Sequence, residues 1–172
     1  MGDKFGWVVL PDDQEKRIEA AFTQLIGEDS YRALWNERGA VSCLSHARPV
    51  YRSLGLNYFA LRSGQGINSD VLEAIVELAR SDPHEVVRCQ AIHALSAVCV
   101  WSFSRELLQL FARLALDEQQ PDTVRAAAYS SAVLCEPDVA KKARIVDYTH
   151  SNPDSFDREF LLHIQASRGQ TD

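Results

Sequence analysis

The chain has 172 residues, of which 46% are hydrophobic and 24% are charged, and its formal net charge is −6 at pH 7. This length fits one domain with a substantial core. The acidic balance disfavours a general nucleic-acid binder, which presents a basic surface to phosphates, and it favours a basic protein partner.

Targeting signals are not evident in the sequence. The N-terminal stretch MGDKFGWVVLP has too short an apolar run for a signal peptide, and Gly6 stands where a myristoylation motif requires Ser or Thr. No apolar run approaches the roughly 20 residues that span a bilayer. The four cysteines have no paired close spacing. These features predict a soluble cytoplasmic protein with reduced thiols.

The first third of the chain predicts an irregular group of helices. Helices are expected over about residues 12–26, 30–38, 40–47 and 50–62. Asp12 and Glu15 form a capping-box-like start for the first, and Gly27 is its predicted stop. Gly39 is predicted to follow the second. Gly55 weakens the last helix without breaking it.

Residues 69–100 predict two amphipathic helices that meet at the corner Asp82-Pro83. Apolar residues at spacings of three and four mark one face of each helix: Leu72, Ile75, Leu78 and Ala79, then Val87, Ala91, Ala94, Leu95 and Val98. Asp82 can cap the second helix, whose first turn accepts Pro83 because an amide there needs no intrahelical acceptor. Each helix therefore has one face to bury.

The same unit recurs along the chain. Val124-Arg125 repeats Val87-Arg88 at a separation of 37 residues. A third, degenerate copy is predicted over 139–165, where Asp157 replaces the valine before the arginine. Its matching residues Pro153, Phe156 and Arg158 follow Pro83, Val86 and Arg88 at a constant offset of 70.

These motifs resemble HEAT or HEAT-like repeats, in which the first helix ends near Asp-Pro and the second begins with Val-Arg. The resemblance covers about residues 69–166. It implies an all-α fold, a short right-handed α-α superhelix, with an N-terminal helical cap over 1–67, repeats over 68–166 and a frayed tail over 167–172. It also implies structural roles for the repeat residues Asp82, Pro83, Arg88 and Arg125. Asp82 and Asp117 are the implied carboxylate partners of the two arginines.

Catalytic and metal-binding patterns are weak. Cys43 and His46 have a Cys-x-x-His spacing, but no second pair completes the three or four ligands of a metal site, so packing is the favoured interpretation. No nucleophile elbow, phosphate-binding glycine loop, metalloprotease helix or dinucleotide fingerprint is found. The prediction is a non-catalytic protein without a cofactor or metal.

An acidic segment at the inter-helix corners is the first candidate binding surface. It consists of Asp117, Glu118, Asp122, Glu136 and Asp138. Exposed carboxylates speed encounter with a basic protein. This segment favours a protein-binding module, in its boldest form an inhibitor or immunity protein that masks a basic toxin or nuclease.

A basic ridge is the second candidate. Arg48, Arg52 and Arg62 fall on one arc of a helix, beside an aromatic stripe. The ridge supports the alternative function, a HEAT-like nucleic-acid-binding or DNA-glycosylase-type protein. A solvated polar face opposite a buried one gives the same pattern and is the preferred interpretation. The acidic net charge makes nucleic acid the less favoured partner.

Overall fold

The computed structural model describes residues 11–138, 142 and 152–167, and within these ranges the secondary structure is helical without a strand. The α-helices are α1 Pro11–Ile26, α2 Glu28–Leu34, α3 Glu37–Leu44, α4 Pro49–Leu61, α5 Ser69–Ser81, α6 Glu85–Trp101, α7 Arg105–Leu116, α8 Asp122–Cys135 and α9 Arg158–Ala166. Short 3₁₀ turns lie at Ser63–Gln65 and Pro153–Ser155. The predicted all-α fold is confirmed.

The helices are organised as stacked pairs. α3 packs with α4, α5 with α6, and α7 with α8, each pair being joined by a short corner. The second helices of the pairs, α4, α6 and α8, also pack side by side in one row. α1 packs against α2 and α4 at one end, and α9 packs against α7 at the other. This arrangement is a short solenoid in which each pair contacts its neighbours.

The core lies along the row formed by α4, α6 and α8. α6 is central in this row, so it buries residues on more than one side, and small side chains let its neighbours approach. Its buried residues are Val87, Ala91, Ile92, Ala94, Leu95, Ser96 and Cys99. A smaller cluster of Phe22, Tyr31, Cys43 and Leu54 holds the N-terminal helices together. The apolar stripes predicted for α5 and α6 thus face the core.

The boundary between α2 and α3 differs from the predicted one. The Asn36 side chain accepts a hydrogen bond from the Gly39 amide at 2.9 Å, so α3 begins at Glu37. Gly39 therefore lies inside a helix, and its predicted place between two helices was wrong. A Cβ atom there would lie 2.5 Å from the Leu34 carbonyl oxygen. The glycine is needed because α2 and α3 meet at a tight turn.

Two other glycines have clear roles. Gly27 ends α1, as predicted, with a φ of +86° that few other residues adopt. Gly55 lies within α4, which continues through it. A Cβ atom at Gly55 would lie 2.7 Å from the Ala40 carbonyl oxygen, so the missing side chain allows α3 and α4 to approach closely.

The predicted third repeat lies partly outside the described residues, which omit 139–141 and 143–151. In its described part, Pro153 and Phe156 are buried, and the Phe156 ring stacks on Tyr129 with centroids 4.3 Å apart. α9 adds Leu161 to the core. Of the predicted tail, residues 168–172 also lie outside the described ranges.

Truncation of Leu95 tests the assignment of the inward face of α6. Leu95 is fully buried, so Leu95→Ala should lower the free energy of unfolding by about 2–5 kcal/mol through lost contacts and a residual cavity. The matched control is Leu134→Ala in α8, since that side chain is 52% exposed. Urea denaturation measures both, and a loss below about 1 kcal/mol for Leu95→Ala would contradict the assignment.

Candidate functional site

A buried ion pair connects the first two helix pairs. Arg52 Nε lies 2.6 Å from Asp82 Oδ2 and Arg52 Nη2 lies 2.9 Å from Asp82 Oδ1. The two side chains are only 8% and 1% exposed. Arg52 Nη1 also donates to the carbonyls of His46 and Ala47, at 2.7 and 2.9 Å. The guanidinium therefore ties the α3–α4 corner to the α5–α6 corner.

Asp82 also organises the start of α6. Its Oδ1 atom accepts a hydrogen bond from the His84 amide at 2.8 Å, and His84 is the residue before the helix. The prediction that Asp82 caps α6, with Pro83 in its first turn, was wrong: α6 begins at Glu85, its N-cap residue is His84, and Pro83 precedes the helix. Asp82 instead binds the amide of the N-cap residue. Since Asp82 holds both Arg52 and a backbone amide, its buried charge is well compensated.

The three repeat arginines occupy one structural position that the sequence analysis recognised only in part. Arg52, Arg88 and Arg125 are each the fourth residue of their helix, in α4, α6 and α8. Arg88 Nη1 donates to the Asp82 backbone carbonyl at 2.5 Å, and Arg125 Nε donates to the Ala115 carbonyl at 3.1 Å. The carboxylate of Asp82 is therefore bound by Arg52, whereas Arg88 binds only the backbone carbonyl of Asp82. The 36-residue spacing between Arg52 and Arg88 was the signal that identifies Arg52 as a repeat residue.

Asp117 is likewise not bound as the resemblance implied. Its carboxylate accepts hydrogen bonds from the Gln119 amide at 3.0 Å and from the Gln120 side chain at 3.3 Å. The carboxylate near Arg125 is that of Asp122, at 3.5 Å. Asp117 therefore stabilises the turn between α7 and α8.

The predicted basic ridge is broken up by its own contacts. Arg52 is buried in the ion pair and offers nothing to a phosphate. Arg62 lies over the rings of Tyr58 and Trp35, 4.2 and 5.7 Å from their centroids, and contacts Glu15 Oε1 at 3.3 Å. Arg48 remains exposed. The three arginines therefore form neither the alternative phosphate-binding arc nor the preferred solvated face, because helical periodicity cannot reveal partners in other helices.

Glu15 joins α1 to this aromatic group. Its Oε1 atom accepts a hydrogen bond from Trp35 Nε1 at 2.5 Å. This bond, together with the nearby Arg62 charge, lowers the pKa of Glu15 below its ordinary value. The Tyr31 ring stacks against Trp35 with centroids 5.1 Å apart, and burial raises the pKa of Tyr31 to about 12. Arg62 thus serves the packing of the N-terminal helices.

The predicted acidic segment is divided between exposed and buried residues. The side chains of Glu118 and Asp122 are 69% and 72% exposed. Asp138 is also exposed. Glu136 is buried, and its Oε1 atom accepts a hydrogen bond from the Asp138 amide at 3.0 Å. Its prediction as a surface contact was wrong, because its side chain folds back to cap its own corner.

Thiol chemistry is limited by burial. Cys43 is buried, which raises the pKa of its thiol, whereas His46 is exposed and packs on Tyr51. The described residues contain no group of three or more His, Cys, Asp or Glu side chains that could hold a metal ion. The contact between Cys99 and Cys135 lowers the pKa of the Cys99 thiol, and the same contact together with burial raises the pKa of Cys135. All four cysteines are free thiols.

An open groove lies between α3 and α5, and we call it the α3–α5 groove. Its volume is about 620 Å³. The apolar part of its lining consists of Val41, Leu44, Ala47, Val71, Ala74, Leu78 and Pro83. The Arg52–Asp82 pair closes one end. Because those two charges neutralise each other, Asp70 and Glu77 leave the groove with a net negative charge. Sequence reasoning missed the groove because its two walls lie about 30 residues apart.

The fold defines the class of this protein as an α-solenoid of stacked helix pairs. The sequence profile of the family described as HEAT repeats matches residues 37–132, more than half of the chain, and the chain belongs to this family. The match begins at α3, so it includes two helices that the sequence analysis placed in the N-terminal cap. HEAT repeats generally serve as protein-interaction scaffolds and are typically not enzymes.

Other comparisons gave no further relatives. No curated protein and no solved structure matches the chain. None of the helices that the structure describes is both long and apolar enough to cross a membrane.

Loss of Asp82 tests the buried ion pair. Asp82→Ala leaves the Arg52 charge buried and unpaired, so the free energy of unfolding should fall by about 3–5 kcal/mol. Glu28→Ala is the control, because it removes the exposed pair between Glu28 and Arg32 and should cost under about 1 kcal/mol. Urea denaturation of both variants decides the matter. Equal losses would show that the Arg52–Asp82 pair contributes no more than a surface contact.

Proposed function

We propose that this chain is a non-catalytic protein-binding module that holds a basic partner. The observation that carries the proposal is the α3–α5 groove, which combines an apolar lining with the two exposed carboxylates of Asp70 and Glu77. Contiguous apolar surface that remains open to solvent commonly marks an interaction site. The groove also lies on helices that are held in place by the buried ion pair, which suits a preformed binding surface.

The charge distribution supports a basic partner. The chain has a formal net charge of −6. Glu118 and Asp122 are exposed at a corner away from the groove, where their carboxylates lie 3.7 Å from Arg158 and 3.5 Å from Arg125. Such fields steer oppositely charged proteins into encounter over about 10 Å at ordinary salt. The groove supplies apolar contact area, and the corner raises the association rate.

The sharpest form of the proposal is an inhibitor or immunity protein that masks a basic toxin or nuclease. A small acidic domain with a preformed surface suits this task, because charge complementarity speeds capture of the target. The four free thiols agree with a reducing compartment, and we place the module in the cytoplasm. The nucleic-acid alternative loses its support, since Arg52 and Arg62 are engaged within the fold.

Affinity purification from the native organism, followed by mass spectrometry, tests the proposed function. The expected result is a basic protein recovered in stoichiometric amount at low salt. Ala74→Trp, which fills the groove, should reduce that recovery if the groove is the contact surface. Recovery of no stoichiometric protein at low salt would contradict the proposal.

Reversal of the acidic corner tests its role in association. Glu118→Lys with Asp122→Lys should slow association with the recovered partner and reduce its salt dependence, because exposed charges act mainly on encounter. Circular dichroism should not change, since the fold depends on the apolar stripes. Asp13→Lys with Glu19→Lys alters the net charge equally at exposed sites on α1 and is the control. If stopped-flow rates are the same for both double variants, the corner has no specific role.

A further inference from the structure

We propose that the α3–α5 groove binds an amphipathic α-helix that carries two basic side chains about seven residues apart. This inference rests on the proposed protein-binding function and deepens it by naming the form of the partner segment. Three features of the groove lead to it: the arrangement of its apolar residues, the state of its backbone groups and the spacing of its carboxylates.

The apolar residues form two facing walls. Val71, Ala74 and Leu78 follow one another along α5 at helical spacing, and Val41 and Leu44 face them from α3. Val41 is 42% exposed, although it is a large apolar residue. A volume of about 620 Å³ lies within the range of about 300–1,000 Å³ that is typical of ligand sites. The groove therefore has room for the apolar side chains from one face of a helix.

Backbone hydrogen bonding favours a helical occupant over an extended one. The walls are helices, whose backbone groups bond within each helix. At the corner that closes the groove, the His84 amide is taken by Asp82, and the carbonyls of His46 and Ala47 are taken by Arg52. An extended peptide would bury unpaired backbone groups here. A helix satisfies its own backbone and needs only side-chain contacts.

The carboxylates of the groove determine the charge of the partner helix and the spacing of its basic residues. Asp70 and Glu77 are exposed and are seven residues apart on α5, which corresponds to about 10 Å along the helix axis. A partner helix that lies alongside α5 matches them with two Lys or Arg residues at the same separation. Arg52 does not repel these cations, because Asp82 neutralises it.

A peptide selection tests the inference with a defined probe. A randomised library of helix-forming peptides displayed on phage is selected on the full chain, with counter-selection on Ala74→Trp. Enriched peptides should carry apolar residues at spacings of three and four and basic residues seven apart. Fluorescence anisotropy of a labelled synthetic peptide from this pool should show binding to the unmodified chain.

Variants of the groove then separate the contributions of the carboxylates and of the apolar walls to peptide affinity. Asp70→Asn with Glu77→Gln should raise the dissociation constant of the peptide by about three- to tenfold, as expected from the loss of two exposed charge pairs. Glu73→Gln is the matched control, because Glu73 lies on the same helix and borders the space towards α7, as Glu77 also does, but does not line the groove. It should leave the dissociation constant unchanged. Val41→Arg, on the opposite wall, should abolish binding. It replaces Ala74→Trp as the groove-blocking variant if Ala74→Trp does not fold.

Three results would overturn the inference. The first is an enriched pool without a basic bias or helical spacing. The second is equal binding of the peptide to the unmodified chain and to a folded Val41→Arg variant. The third is a dimer in sedimentation velocity that Val41→Arg dissociates, because a second copy would then occupy the groove. Failure of the proposed function is a separate outcome, in which the groove binds the peptide but the cell supplies no stoichiometric partner.

Discussion

The stacking of the first two helix pairs depends on the ion pair between Arg52 and Asp82. Two buried charges are costly unless each is fully compensated. Here the guanidinium binds a carboxylate in a bidentate manner and also holds the two carbonyls of the preceding corner, while the carboxylate also accepts the His84 amide. The two corners are thereby fixed against each other. The α3–α5 groove ends on this pair, so its shape depends on the same contacts.

The structure separates the residues that build the stack from those that remain open to a partner. The row of α4, α6 and α8 buries small and branched side chains and forms the core. α3 and α5 lie beside this row, and their facing apolar residues are only partly covered at Val41, Val71 and Leu78. A binding surface on packed helices loses little conformational entropy when a partner docks, which favours affinity for a given contact area.

Charge has different roles in different parts of the molecule. Arg52 and Arg62 are held by carboxylates or aromatic rings inside the fold. Asp70, Glu77 and Glu118 are exposed to solvent. The acidic net charge therefore appears at the surface as carboxylates near the groove and at a corner. The exposed carboxylates agree with the acidic composition from which a basic partner was predicted, and that partner stays a prediction. The roles of the individual arginines were predicted wrongly, because their partners lie in other helices.

The sequence by itself determined the helical class, the repeat and the inward faces of α5 and α6, because these follow from local apolar spacing and from Asp-Pro and Val-Arg motifs. It also located the stop at Gly27. Tertiary structure decided the role of Arg52, the burial of Glu136, the place of Gly39 and the existence of the groove. Each of these depends on which atoms meet after folding. Arg52 meets a carboxylate 30 residues away, and Glu136 accepts a backbone amide. Gly39 meets the end of α2, and the groove needs a second helix across from the first. Periodicity gives the direction of a side chain on its own helix, whereas its partner is set by the packing of other helices.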